Sequence, residues 1–350
     1  MFTSKIRFDY IIPSLLLLFA FTFFIIHNSG RKEVLVVHSY QTDYSWVRDV
    51  NSGLKNIFAN EKRYNVRYHY MDTKRHTWPT YLRNAGLITR RLIGAIRPQV
   101  IICVDDDAQR LVGQYYINDP NISVIFSGVN ASQETYGYDK AKNVTGILER
   151  LPLGGLRDTF YLLARQRGLA ENVQIRTAHI SDNSPTVQND DKYMRQFSEW
   201  GRVKLEDSKL VGTFDEWKKA VLEANKTLDF ITISNYRSIR RNPNDKEFMS
   251  PKEVLEWTMQ NATIPAIGVN AFFVEEGGGL AIATSPYEQG SSAGLAAQQI
   301  VIGGKTAKDI PIVRTEQFIV CIRDSIVEKM NIELPDIYDA FARVTKKHYR

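Results

Sequence analysis

Cysteine is almost missing from this chain: Cys103, in "QVIICVDDD", and Cys321, in "QFIVCIRD", are the only two in 350 residues. A disulfide scaffold and a cysteine-rich metal centre are thereby excluded. Both thiols sit inside strand-like apolar runs and are expected buried and free, although pairing stays open, since it needs only that their Cα atoms come within about 7 Å. The 6 histidines are scattered without paired spacing. No metal site and no cofactor is therefore expected. No Gly-x-Ser-x-Gly elbow, phosphate loop or His-Glu-x-x-His occurs, and the Gly-rich "EEGGGL" precedes a strand and not a helix, so an enzyme is not the expected reading. The formal charge of +6 is spread along the chain with no basic cluster interleaved with aromatics. That speaks against a nucleic-acid partner.

Long uncharged apolar runs are equally scarce, with one exception. Lys5 and Arg7 precede "IIPSLLLLFAFTFFII", Ile11 to Ile26, and polar "HNSGRKE" follows. This is the layout of an export signal, and it places the remainder of the chain in the periplasm. The run is shorter than the ~20 residues that a membrane span prefers, yet no clean small-x-small cleavage site follows it. Residues 1–30 are accordingly read either as a cleaved signal peptide or as an inner-membrane anchor through residues 11–26. With no cysteine near the end of the run, a lipoprotein is not expected.

After residue 33 short apolar runs alternate with amphipathic stretches. "VLVV" leads to Val47, Val50, Leu54 and Ile57 at helical spacing; "YNVRYHYMD" leads to Tyr81, Ala85, Ile88, Leu92 and Ile96, stopped by Pro98; "VIICV" and "ISVIFSGVN" follow. Such β-α-β repeats give a parallel sheet with helices on both faces. A second series starts after "NVTGILER", with strands at "VQIRTAHIS", "LDFITIS" and "IPAIGV" and helices at "LRDTFYLLARQRG", "FDEWKKAVLEAN" and "PKEVLEWTMQN". No linker rich in Gly, Ser or Pro separates the series, so short crossing segments are expected to join them. The tail then adds a small-residue helix from about Glu288 to Ile302 and a further strand-helix unit.

Taken together, "GLAIATSPYEQGSSAGLAAQQIVIGGKTAKDIPI" and the closing "FIVCIRDSIVEKMNIELP" resemble the substrate-binding proteins of ABC transporters with the type I periplasmic-binding-protein fold, in the branch associated with aromatic amino acids and related solutes. "HSYQTDYSWVRDVNSGL" and "ICVDDDAQRLV" also resemble the extracytoplasmic sensor domains of that branch, often fused to histidine kinases or diguanylate cyclases. The resemblance implies an α/β fold of two doubly wound parallel-sheet lobes joined by a three-segment hinge, with a small molecule clamped in the cleft. Lobe 1 would be 33–147 plus 284–312 and lobe 2 would be 148–283 plus 313–350. It implies a non-enzymatic solute binder that delivers to an ABC permease, or alternatively a subunit that senses a ligand and regulates a membrane kinase or cyclase.

Ligands in such sheets sit beyond the carboxyl ends of the strands. In the first series those positions are His38, Ser39, Tyr40, Tyr44, Trp46, Asp105, Asp106, Ser127 and Asn130. In the second they are Ser181, Asn183, Ser234, Asn235, Tyr236 and Asn270; Ser285 and Tyr287 are added by the resemblance alone, from the family's Tyr-x-x-Gly turn. Tyr40, Tyr44 and Trp46 could stack on a planar solute or close over a cation, with packing against the sheet as the alternative for Trp46. Within "DDD", 105–107, one carboxylate could pair with a ligand amine, while Asp106 or Asp107 is expected to cap a helix beginning near Ala108. His38 could be a pH-sensitive contact. The solute expected is small, and aromatic or amino-bearing.

Overall fold

The structure, a computed structural model, describes residues 8–29, 31–59 and 63–350. The chain divides into two compact units, Met1–Ile147 with Gly290–Ile312, and Leu148–Gln289 with Val313–Arg350.

The first unit begins with α1 (Phe8–Ser29). Its side chains from Ile12 to Thr22 are all exposed. The expected signal or anchor therefore lies partly outside the described residues, and among those described no helix is long and apolar enough to cross a membrane. There follow β1 (Lys32–His38), α2 (Ser45–Phe58), β2 (Tyr64–Tyr70), α3 (Pro79–Ile96), β3 (Val100–Val104), α4 (Asp106–Leu111), β4 (Ser123–Val129) and β5 (Val144–Leu148). Strands β2, β1, β3 and β4 pair in parallel, in that order across the sheet. The runs Val34–Val37 and Val100–Val104 are at most 1% exposed, as continuous apolar strands buried on both faces should be. Val50, Leu54 and Phe58 of α2 pack on them at helical spacing. Pro98, two residues after α3, ends that helix, with Arg97 in the left-handed conformation at φ 53°.

The second unit contains α5 (Leu153–Gln166), β6 (Ile175–Asp182), α6 (Pro185–Gln196), β7 (Val203–Leu205), β8 (Lys209–Val211), α7 (Phe214–Thr227), β9 (Phe230–Ile233), α8 (Pro251–Asn261), β10 (Ala266–Gly268), α9 (Phe272–Glu275) and β11 (Leu280–Thr284). Then come α10 (Pro286–Val301), which runs on into the first unit, β12 (Val313–Arg314), β13 (Phe318–Arg323), α11 (Asp324–Lys329), α12 (Asp336–Val344) and β14 (His348–Tyr349). The sheet order is β14-β13-β11-β10-β9-β6-β7, with β8 also paired to β6. Its pairs are parallel except β11 with β13, where Ala281 opposes Cys321 in antiparallel register. That reversal is the one departure from the all-parallel sheet expected. Cys103 and Cys321 are both buried and not joined in a disulfide, and burial pushes the Cys103 thiol up to about 12.

Residues 284–289, expected with the first series, belong to the second unit. Local bonds hold them there. The Glu288 carboxylate accepts the N–H groups of Glu316 and Gln317 at 3.1 and 2.9 Å. Thr315 Oγ1 accepts from Arg150 N–H at 3.2 Å and from Gln289 Nε2 at 2.8 Å, and donates to Leu148 O at 3.2 Å. Beyond that knot α10 crosses α2 closely. A Cβ at Gly290 would lie 2.0 Å from Val50 O, so only glycine permits the approach.

Candidate functional site

In the first unit, parallel register sets His38 level with Tyr70 on one side and Val104 on the other, and Val104 level with Ser127. One edge of the sheet thus gathers the loops that follow β1, β2, β3 and β4. The β2 loop is tied down on it: Met71 N–H donates to His38 O at 2.9 Å and Thr73 N–H to Ser39 O at 2.8 Å.

His38 turns inward. Its ring stacks on Tyr70 with centroids 5.1 Å apart, and Nε2 lies 2.8 Å from Asn51 Oδ1, while Asn51 Nδ2 donates to the Tyr70 hydroxyl at 3.1 Å. Burial lowers the imidazole to about 4 against the raising effect of Asn51, so the ring is neutral at neutral pH and braces β1, β2 and α2. Ser39 does the capping expected of an aspartate. Its Oγ donates to Val104 O at 2.7 Å and accepts from Ala108 N–H at 2.8 Å. The helix starts at Asp106, two residues earlier than expected, which leaves Asp106 and Asp107 inside the first turn where they cannot cap it. Asp105, at the cap position with φ 69°, makes no side-chain cap bond. Asp106 instead accepts from Asn130 N–H at 3.1 Å, Ala131 N–H at 3.3 Å and the Tyr136 hydroxyl at 2.7 Å, and Asp107 pairs with Arg110 at 2.6 Å.

Three half-buried aromatics line this edge. Tyr40 and Tyr44 meet edge to face at 5.6 Å, and Lys74 Nζ sits 4.7 Å from the first ring and 4.2 Å from the second while donating to the Tyr44 hydroxyl at 2.8 Å. The cation expected over these rings is thus supplied by the chain itself. Burial, followed by the charge of Asp105, raises Tyr40 well above the usual phenol range, so its hydroxyl stays protonated. Trp46 packs against the core, as its alternative reading had it, yet its buried indole N–H has no hydrogen-bond partner. Gly128, at φ +65°, lets the edge close up: a Cβ there would be 3.0 Å from Asp105 Oδ1 and 3.4 Å from Trp46 Cζ2. Ser127 is fully buried and Asn130 is exposed.

The second unit's edge is polar. Ser181 Oγ accepts Ser234 N–H at 2.9 Å, Ser234 Oγ lies 2.9 Å from His179 Nε2, and His179 Nδ1 lies 3.1 Å from Asp191. Asn270 Nδ2 donates to Ser234 O at 2.9 Å. Asp190 keeps some solvent contact, but burial pushes its carboxyl up to about 7 despite a hydrogen bond from Ser234 and the charge of Arg150. The His179 hydrogen bond, with Ser208 and Arg195, holds Asp191 well below the usual carboxylate range. Of the remaining candidates Asn235 joins this group only through its backbone, its N–H donating to Ser181 Oγ at 3.4 Å, and the side chains of the others stand apart from it. Asn235 folds on itself, Oδ1 accepting from Tyr236 and Arg237 N–H. Tyr236 is a core residue, 1% exposed, its hydroxyl donating to Glu276 at 2.5 Å. Asn183 is exposed; Ser285 Oγ accepts Glu288 N–H at 3.2 Å at the start of α10, and Tyr287 is exposed.

Lys74, Asn51, His179, Asp190 and Asp191 were not among the residues singled out from sequence. Lys74 lies in the loop that follows β2, as Tyr40 lies in the loop that follows β1, so the strand-end rule extended to the whole loop reaches it. The others lie within β6 or on helices, where no sequence signal marks them.

Residues 237–345 match the family model described as ABC transporter substrate binding protein. That family is one of binding proteins and not of enzymes. No curated protein matches the chain. Among solved structures, the ligand-free, open form of a substrate binding protein with adhesive properties from Clostridium difficile aligns with a TM-score of 0.64 at 11% identity, over 87% of this chain and 96% of its own. An ABC domain in complex with L-Trp from Streptococcus pneumoniae gives 0.55 at 14%, over 88% and 98%. A conserved domain protein from Vibrio cholerae gives 0.57 at 14%, over 91% and 99%. The fold is that of the substrate-binding proteins.

Proposed function

We propose that the chain is an extracytoplasmic solute-binding protein that takes up a small aromatic or amino-bearing molecule and delivers it to an ABC permease. The observation that carries the reading is the first unit's edge, where Tyr40, Tyr44 and Lys74 form an aromatic and cationic wall beside the unpartnered Trp46 indole N–H. A planar solute would gain stacking on the rings, about 0.5–1.5 kcal/mol for each good pair beyond burial. Trp46 and Lys74 would donate to its acceptor groups, and the Asp105 and Asp106 carboxylates lie on the same edge for an amino group. The L-Trp bound by the Streptococcus domain belongs to the solute class proposed. Residues 1–30 direct export in this reading, in keeping with the exposed apolar side chains of α1.

A thermal-shift panel of aromatic amino acids, amines, nucleosides, purines and organic acids tests it on the exported protein. A ligand held at 100 times its dissociation constant stabilises by about 2.7 kcal/mol, a readable rise in melting temperature. Tyr40→Ala is then expected to weaken the best ligand tenfold or more in calorimetry, with the melting temperature of the free protein little changed. Unchanged affinity removes Tyr40 from the site. A well-folded protein that answers to nothing in the panel shifts the proposal to the sensor alternative, in which a membrane kinase or cyclase is the partner.

A further inference from the structure

The last elements of the second unit converge on one histidine. His348 opens β14, level with Ile322 of β13; Asp324 is the first residue of α11, and Asp339 lies in α12. Nε2 of His348 is 3.0 Å from Asp324 Oδ1 and 3.0 Å from Asp339 Oδ1. The histidine side chain is only 8% exposed. At such distances an N–H should be bonded, yet Nε2 is buried without a hydrogen bond to either oxygen. The distances suit a hydrogen bond, so the failure lies in the angle at the ring nitrogen. Arg343 Nε engages the other oxygen of Asp339 at 2.7 Å, which fixes that carboxylate and holds it below the usual range. Oδ1 is left facing the histidine.

We infer that Asp324, Asp339 and His348 form a zinc site that fastens the end of the chain. A nitrogen 3.0 Å from two carboxylate oxygens yet bonded to neither is poorly arranged to donate its one proton, and close enough to both to share a cation with them. One imidazole and two carboxylates form a donor set that Zn²⁺ accepts, at about 2.0–2.2 Å per bond, with water in the fourth position. Donors on such a tetrahedron stand roughly 3.3 Å apart, so the two histidine–carboxylate pairs, each at 3.0 Å, need open by only a few tenths of an ångström. Ca²⁺ and Mg²⁺ prefer six or more oxygen donors and are poorer matches. The ligands stand 15 and 9 residues apart in sequence, so no local motif announces them. Bound zinc would join α11, α12 and β14, and it touches none of the residues proposed for the solute.

The test is calorimetric titration of Zn²⁺ into the metal-stripped full chain. One zinc per chain is expected, weakened at least tenfold in Asp324→Asn and in His348→Gln, and Co²⁺ in its place should give the intense visible bands of a tetrahedral centre. Absence of saturable binding, or an affinity in the variants unchanged from that of the parent chain, overturns the inference. Asp324 is half-exposed at the start of its helix, 39% by side chain, so its variant is expected to fold and carries the test should His348→Gln not fold.

Discussion

The two carboxyl edges follow one strand geometry and different chemistry. At the first, the groups left for a ligand are rings and a lysine, with His38 turned inward as a brace. At the second, the histidine is a link in a chain of hydroxyls and carboxylates running from Ser181 through Ser234 to Asp191. A wall of rings offers area and tolerates rotation of what lies on it; a connected polar chain fixes direction and tolerates little, because each member depends on the next. The contrast extends to charge. Burial keeps His38 neutral by lowering its pKa and favours neutral Asp190 by raising its own, so the two edges respond to pH in opposite senses.

The largest effect should come from His38→Ala. It removes a fully buried ring stacked on Tyr70 and strips Asn51 of its partner, and about 2–4 kcal/mol of stability is expected to go in urea unfolding. A loss under about 1 kcal/mol would mean that the brace is dispensable. Next in size is coupling. His179→Ala and Ser234→Ala each leave buried polar groups unpaired, and as contacting residues they should be non-additive by about 0.5–3 kcal/mol, whereas Ser234→Ala with His38→Ala should add. Additivity within the first pair would break the picture of a connected chain.

A smaller effect is the pH slope. His38 binds fewer protons folded than unfolded between about pH 4 and its ordinary value, so its contribution to stability is lost as pH falls through that window. Asp190 binds more protons folded than unfolded between the ordinary carboxylate value and about 7, so its contribution is lost as pH rises through it. The two windows nearly coincide and the slopes oppose, so across them the melting temperature should rise more with pH in Asp190→Asn and fall more with pH in His38→Gln than in the parent protein. Parallel profiles in all three proteins would rule out the opposition. Smallest is the difference in helix starts. Thr213 and Glu216 form a reciprocal cap on α7, so Thr213→Ala should cost about 1 kcal/mol, whereas Tyr44 makes no side-chain cap on α2 and Tyr44→Ala should cost nothing on that account.

What the sequence disclosed follows from the range of the interaction. Val34–Val37 and the Val50, Leu54 spacing are local patterns, and they placed β1, α2 and the strand-end residues where the structure has them. The cap of α4 was misread because it comes from Ser39, 69 residues before the N–H that it receives, whereas sequence reasoning looks to the nearest aspartate. Tyr236 follows a strand as a ligand contact should, but Trp217, Phe272 and Phe273 surround it, and that enclosure depends on two other segments, α7 and α9. The reversal at β13 was hidden for a related reason: an apolar run carries no sign of its direction in a sheet.

Thr315 has a consequence of another kind. A hydroxyl has one proton to give and two lone pairs to fill, and here Leu148, Arg150 and Gln289 take all of them. Three passages of backbone that are far apart in sequence are thereby counted as one in their freedom to move. None can shift along its axis without disturbing the others. Through Thr315 a displacement of any one of the three is passed to the other two.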